Sequence, residues 1–296
     1  MTAAERGFLL LGSSLGDETV RPLTVPQLRD LSRRVNVMGD GGKDPAGELR
    51  LPDLTELGYE EAFAVRILAL LDREAELDRY LARAERQNIH AVTRVSPDYP
   101  ARLSIQLGME APPVLFYRGD KTLLQRACIS VVGSRKLFPE NRAFARTAGR
   151  LIAEEGFVLC SGGAVGADSA AKAETIARGG SALIFLPGRL TDEVMQENVV
   201  FVTEDSFDLP FTAQRALSRN RLIHAMGEKT LVAQVRLNTG GTWRGAADNL
   251  HHGYSPVFVF DDGSEGAGAL MARGAVGLTE LTDLNQLEEG QIKLLL

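Results

Sequence analysis

Beyond Pro97 the chain alternates short apolar runs with amphipathic helical stretches, and this alternation restricts the possible folds more than any other feature of the sequence. The runs fall at residues 114–117, 128–132, 157–160, 182–186, 199–203, 230–235 and 257–260. Each is short and aliphatic or β-branched, as strands buried on both faces of a parallel sheet must be. Between them the pattern predicts helices over residues 141–155, 167–176, 213–226 and 242–251. In the first of these, Phe144, Ala145, Ala148, Leu151 and Ile152 share one face. Strand–helix alternation implies right-handed crossovers, hence an α/β fold with a doubly wound, mostly parallel sheet.

The first ninety-five residues read differently. Thr24 is placed to cap a helix that Pro26 opens and Leu28 and Leu31 line, and residues 39–47, rich in Gly and Asp, read as a loop. Ala62, Val65, Leu68, Ala69 and Leu71 fall near helical spacing, and residues 74–84 read as an exposed, charge-laced helix. The expected organisation is a small all-α N-terminal module over residues 1–95, followed by the α/β domain over 96–296.

Composition sets limits on function. With 44% hydrophobic and 24% charged residues the chain can bury a full core, and no stretch approaches the ~18 consecutive apolar residues of a membrane span. Both cysteines sit in apolar runs, which suits a reduced, cytoplasmic setting. A net charge of −6 excludes a wholly basic coat, so any phosphate binding must be local.

In such sheets ligands bind beyond the carboxyl ends of the strands, which directs attention to three loops. After Val132 come Gly133, Ser134 and Arg135, a tight turn carrying a hydroxyl and a guanidinium suited to phosphate. After Cys160 come Ser161, Gly162, Gly163 and Ala164, running through Gly166 and Ala167 to Asp168 at a helix start. After Val235 come Thr239, Gly240, Gly241, Thr242 and Trp243, again opening a helix. Glycines ahead of a helix let backbone N–H groups approach an anion. A fourth element, Arg219-Asn220-Arg221, sits in a helix whose apolar face is supplied by Leu222, Ile223 and Met226, which leaves Arg219 to point outward. Lys172 follows Asp168 by one turn and is placed to face the same pocket, and Asp168 itself reads as a cap or loop orienter. Trp243 either stacks on a base or anchors the core at its helix start.

These pieces, in this order, resemble the DprA/Smf (DNA-processing protein A) family of the SLOG superfamily. The matching text runs from Asp98-Tyr99-Pro100 and Leu103 through Pro112-Pro113-Val114-Leu115-Phe116-Tyr117-Arg118-Gly119 and Ser130-Val131-Val132-Gly133-Ser134-Arg135. It continues through Ser161-Gly162-Gly163-Ala164, Gly166-Ala167-Asp168 and Ser218-Arg219-Asn220-Arg221-Leu222-Ile223 to Gly268-Ala269-Leu270 and Gly274-Ala275. The resemblance implies a Rossmann-like domain that binds single-stranded DNA without catalysis, dimerises, and hands DNA to the RecA recombinase in natural transformation. Divergent relatives also occur as partners in antiviral defence and toxin loci. The chain departs from the family pattern at Val165, where a basic residue is usual, at Lys172 in place of histidine, and at Gln234-Val235 and Thr239-Gly240-Gly241-Thr242-Trp243.

Two other functions fit the same loops. One is a nucleotide-sensing or toxin-regulating protein that binds a small phosphorylated ligand. The other is a phosphoribohydrolase of the LOG type, whose Gly-rich loop ends in a glutamate; here Trp243, Arg244, Gly245 and Ala246 follow Thr242, with Asp248 the first carboxylate. No cofactor is expected, and no metal, because His90, His224, His251 and His252 show no ligand spacing with cysteine.

Overall fold

The computed structural model describes residues 1–38 and 49–287. The loop read at residues 39–47 lies outside the described residues. Five helices come first, α1 (Ala3–Gly12), α2 (Val25–Met38), α3 (Leu51–Glu56), α4 (Glu61–Leu71) and α5 (Glu74–Glu85). Next are β1 (His90–Thr93), α6 (Ala101–Leu107), β2 (Val114–Arg118), β3 (Cys128–Val132), α7 (Pro139–Glu154), β4 (Val158–Ser161), α8 (Ala167–Ala177) and β5 (Ser181–Phe185). The chain continues through β6 (Val199–Glu204), α9 (Ala213–Met226), β7 (Lys229–Val232), α10 (Gly240–His252), β8 (Val257–Phe260), α11 (Glu265–Met271) and β9 (Val276–Leu278). Among the described residues, no helix is long and apolar enough to cross a membrane.

The strands form one sheet in the order β1-β2-β6-β5-β4-β3-β7-β8-β9. Pairing is parallel from β6 through β9 in that order, whereas β2 runs antiparallel to both β1 and β6. The fold is thus the Rossmann-like, mostly parallel α/β architecture that strand–helix alternation implies, preceded by helices. Side chains alternate between two cores, as a period of two requires. Ile129, Val131, Ile184 and Phe201 face α7 and α8, while Cys128, Val132, Leu183 and Phe185 face α9 and α10. A satellite cluster of Leu23, Leu28, Leu31, Leu54, Ile67 and Leu70 joins α2, α3 and α4.

Three local readings change. The helix read as exposed over residues 74–84 is amphipathic: α5 buries Leu77, Tyr80 and Ala84 against the same core as α7. Strands β1 and β9 went unread because short, part-exposed edge strands carry no continuous apolar run. The run at residues 230–235 stops being a strand at Val232, where the chain bends away.

The N-terminal helices are tied into the sheet. The Ser14 N–H donates to Asp205 Oδ1 at 2.7 Å, and the Tyr80 hydroxyl donates to Asp208 Oδ1 at 2.8 Å. Both acceptors lie on the loop between β6 and α9.

Candidate anion-binding groove

Strand order reverses at β3, with β4 to β6 on one side and β7 to β9 on the other, so the loops leaving β3 and β7 diverge. A crevice at such a switch point is where doubly wound sheets hold ligands. Here an open groove of ≈ 670 Å³ lies between the ends of β3 and β7, the start of α8, one face of α9 and the first turn of α10.

The β3 loop is fixed from behind. A β-carbon on Gly133 would lie 2.5 Å from the Ala167 β-carbon, so only glycine lets α8 begin this close. Ser134 directs both its N–H and its hydroxyl to the Gln234 carbonyl, at 3.0 and 3.3 Å. The buried Gln234 side chain completes the clamp: its Nε2 donates to the Lys136 carbonyl at 3.2 Å, and its Oε1 accepts the Phe138 N–H at 3.0 Å. Arg135 and Lys136 are exposed on this loop and line the groove, and their side chains make no hydrogen bond or ion pair with the described residues.

Beneath the loop lie two opposite charges, the buried Asp168 and the half-buried Arg219. Asp168 Oδ2 accepts the Gly162 N–H at 3.1 Å and the Ala164 N–H at 3.3 Å, which orients the loop after β4. Burial raises the Asp168 carboxyl above its ordinary range, while the Arg219 charge and the two amides pull it back. Arg219 turns inward rather than outward, correcting the expectation from helix phase. The reason is Gly162: a β-carbon there would sit 1.5 Å from Arg219 Nη1, so the missing side chain vacates the guanidinium's path. Arg219 Nε is buried without a hydrogen-bond partner, and no ion pair with Asp168 forms within 4.0 Å. Burial pushes the guanidinium below its ordinary pKa; Asp168 opposes this and Arg135 adds to it.

On α9, Asn220 lines the groove and donates from Nδ2 to the Gly241 carbonyl at 3.3 Å, which steadies the start of α10. Arg221 lies elsewhere: two residues turn a helix by ~200°, and its guanidinium meets Glu110 at 3.5 Å and Glu204 at 4.0 Å. Lys172 is also outside the groove, its ammonium 5.0 Å from the centre of the Phe201 ring, on the sheet face opposite α9. Ser161 is buried and donates to the Val131 carbonyl at 2.8 Å. Gly163 takes a left-handed φ of +69° in the turn and does not line the groove.

Gly240, Gly241 and Thr242 line the groove, and Thr239 supplies no side-chain cap, so the first N–H groups of α10 open onto it. Trp243 is a core anchor: it is 6% exposed, packs in the α9–α10 core, and carries the Arg273 guanidinium 4.9 Å from its ring centre. Arg236 and Arg244 complete the groove's cations; neither was singled out from the sequence. A cation near the N-terminus of a helix opposes the macrodipole, and Arg244, the fifth residue of α10, carries that reversed sign.

His224 forms part of the floor. Its Nδ1 takes the Asn249 amide at 3.1 Å, and Asn249 continues to Ser255 Oγ at 3.1 Å. Burial pushes the imidazole down to about 4, so the ring is neutral at neutral pH with its proton on Nε2. Among the described residues no group of three His, Cys, Asp or Glu is placed to hold a metal ion.

Residues 90–288 match a family model described as DNA recombination-mediator protein A. Protein Smf of Escherichia coli is 27% identical over 210 residues, which make up 66% of this chain and 56% of that protein. The chain therefore spans little more than half of the E. coli protein's length. The DNA processing protein DprA of Bacillus subtilis is 24% identical over 257 residues, 81% of this chain and 86% of that one. In three dimensions, DNA processing protein A of Streptococcus pneumoniae superposes with a TM-score of 0.69 at 22% identity, covering 94% of this chain and 95% of that one. DNA processing protein A of Helicobacter pylori, described for its single-stranded DNA binding mode, gives 0.56 at 21% identity over 69% of this chain and 96% of that one. At these identities both structures share the fold.

Proposed function

Since the chain belongs to the DNA recombination-mediator protein A family, we propose that its groove binds single-stranded DNA without chemical turnover, in the service of DNA processing and recombination. The observation that carries this reading is the charge of the groove. Arg135, Lys136, Arg219, Arg236 and Arg244 line it against one carboxylate, Asp168. None of these five cations is ion-paired among the described residues, and the half-buried guanidinium of Arg219, whose Nε is sealed off without a partner, is costly unless an anion completes it. The open first turn of α10 adds backbone donors suited to phosphate.

The lining carboxylate supports binding over hydrolysis. Asp168 is held by two backbone amides of the loop after β4, and its role is to shape that loop. A second copy of the chain is part of the proposal: β9 is a part-exposed edge strand that pairs on one side only among the described residues, and pairing there would set two grooves along one strand of DNA and raise avidity.

Equilibrium binding of a fluorescently labelled oligothymidylate at low salt tests the reading. The expected result is saturable binding that a mononucleotide displaces poorly. Tight binding of the mononucleotide with none of the oligonucleotide would replace DNA with a small phosphorylated ligand.

A further inference from the structure

We propose that Phe211 is a stacking platform for an unpaired nucleobase, so that the groove takes a strand by its bases as well as by its phosphates. This rests on the reading of the groove as a single-stranded DNA site. The chain holds twelve phenylalanines; Phe211 is 60% exposed and lines the groove. An apolar ring of this size left in water forgoes the free energy its burial would contribute to folding, and it stands at the mouth of a cationic cleft. Its neighbours in the wall, Ala213, Ala216 and Leu217, continue the apolar surface along one face of α9, whereas Arg135, Lys136, Arg236 and Arg244 belong to the β3 loop, the β7 loop and α10. The α9 wall is therefore apolar at its N-terminal end, with Asn220 and Arg219 further along it, and the facing wall is cationic, the division that a single strand presents between its bases and its phosphates.

The platform is held in place. Thr212 caps α9 by accepting the Arg215 N–H at 3.1 Å, and the Arg215 guanidinium donates to the Pro187 carbonyl at 3.0 Å and to Thr203 Oγ1 at 3.3 Å. The loop leading to Phe211 is further fixed by the Tyr80 hydroxyl on Asp208. A base fixed in this way lowers the entropic cost of stacking on the ring it carries.

The test crosses two changes, Phe211→Ala in the protein and abasic sites in the oligothymidylate. Phe211→Ala should weaken binding of the intact oligonucleotide about 5- to 100-fold, the range of base–aromatic stacking. It should leave the dependence on salt unchanged and scarcely affect the abasic strand, and Phe211→Trp should restore affinity. Equal losses on intact and abasic strands, or no loss on either, would overturn the platform while leaving the groove's role in DNA binding intact. Failure of the unaltered chain to bind any oligonucleotide would overturn the groove reading, and the platform with it.

Discussion

A guanidinium whose Nε is sealed from solvent without a partner, as in Arg219, gives up hydration that nothing in the fold restores. The sequence could place Arg219 on a helix but not show that Gly162 would let it turn inward, because that depends on the packing of two segments far apart in the chain. Arg135 differs, being exposed on a clamped loop. Arg135→Ala should leave folding stability within about 0.5 kcal/mol. Arg219→Ala removes a half-buried charge that makes no ion pair, while leaving the buried Asp168 without the nearby positive charge that favours its carboxylate; these effects oppose, so the melting temperature should move little. Both variants should bind oligonucleotide about ten- to a hundredfold more weakly, the range of one charge-assisted hydrogen bond. A sharp drop in melting temperature with unchanged affinity per folded molecule would make these arginines structural.

Elements were legible where a continuous apolar pattern or a cap marks them. Helix α9 spans Ala213–Met226, as read, because Thr212 caps one end and Leu222, Ile223 and Met226 fill one face. Strand β8 likewise matches an uninterrupted aliphatic and aromatic run, and β3 an apolar run broken only by Ser130. What patterning hides is how two helices meet. Helices α9 and α10 pack through His224, with the Asn249 amide on Nδ1 and Gly245 against Nε2, where a β-carbon would come within 2.8 Å. This contact makes the pair sensitive to acid. The folded value of His224, about 4, lies below its ordinary 6.5, so between those values the unfolded chain binds the extra proton. The stability from keeping His224 neutral is therefore complete above about pH 6.5 and lost as pH falls toward 4, by up to about 3 kcal/mol. Asp168, Glu204 and Asp205, all raised by burial, work in the opposite sense, so the informative quantity is a difference. The melting temperature of the unaltered chain should fall more steeply over this window than that of His224→Asn, which keeps an acceptor for Asn249. Parallel curves would show that His224 does not control the acid response.

At the scale of the whole molecule, a net charge of −6 and a cationic groove coexist because the cations are gathered where the sheet reverses direction. Charges farther away than the Debye length of ~8 Å at physiological salt are largely screened from a bound strand. The sequence placed Arg135, Arg219, Arg221, Lys172 and the Gly240–Thr242 loop at one sheet edge, because loops after parallel strands share that edge, and of these Arg221 and Lys172 lie elsewhere. It could not separate Arg219 from Arg221, which helix phase sends to different surfaces, or bring Arg236 and Arg244 into the same cleft. Counting contacts by salt titration tests the central claim most directly. Log affinity for a labelled oligothymidylate, plotted against log salt, should fall with a slope between about −2 and −3.5, that is, three to five phosphate contacts at about 0.7 each. Arg135→Ala and Arg236→Ala should each reduce the steepness by about 0.7. A slope near zero, or one that neither substitution changes, would contradict a groove that binds DNA through these cations.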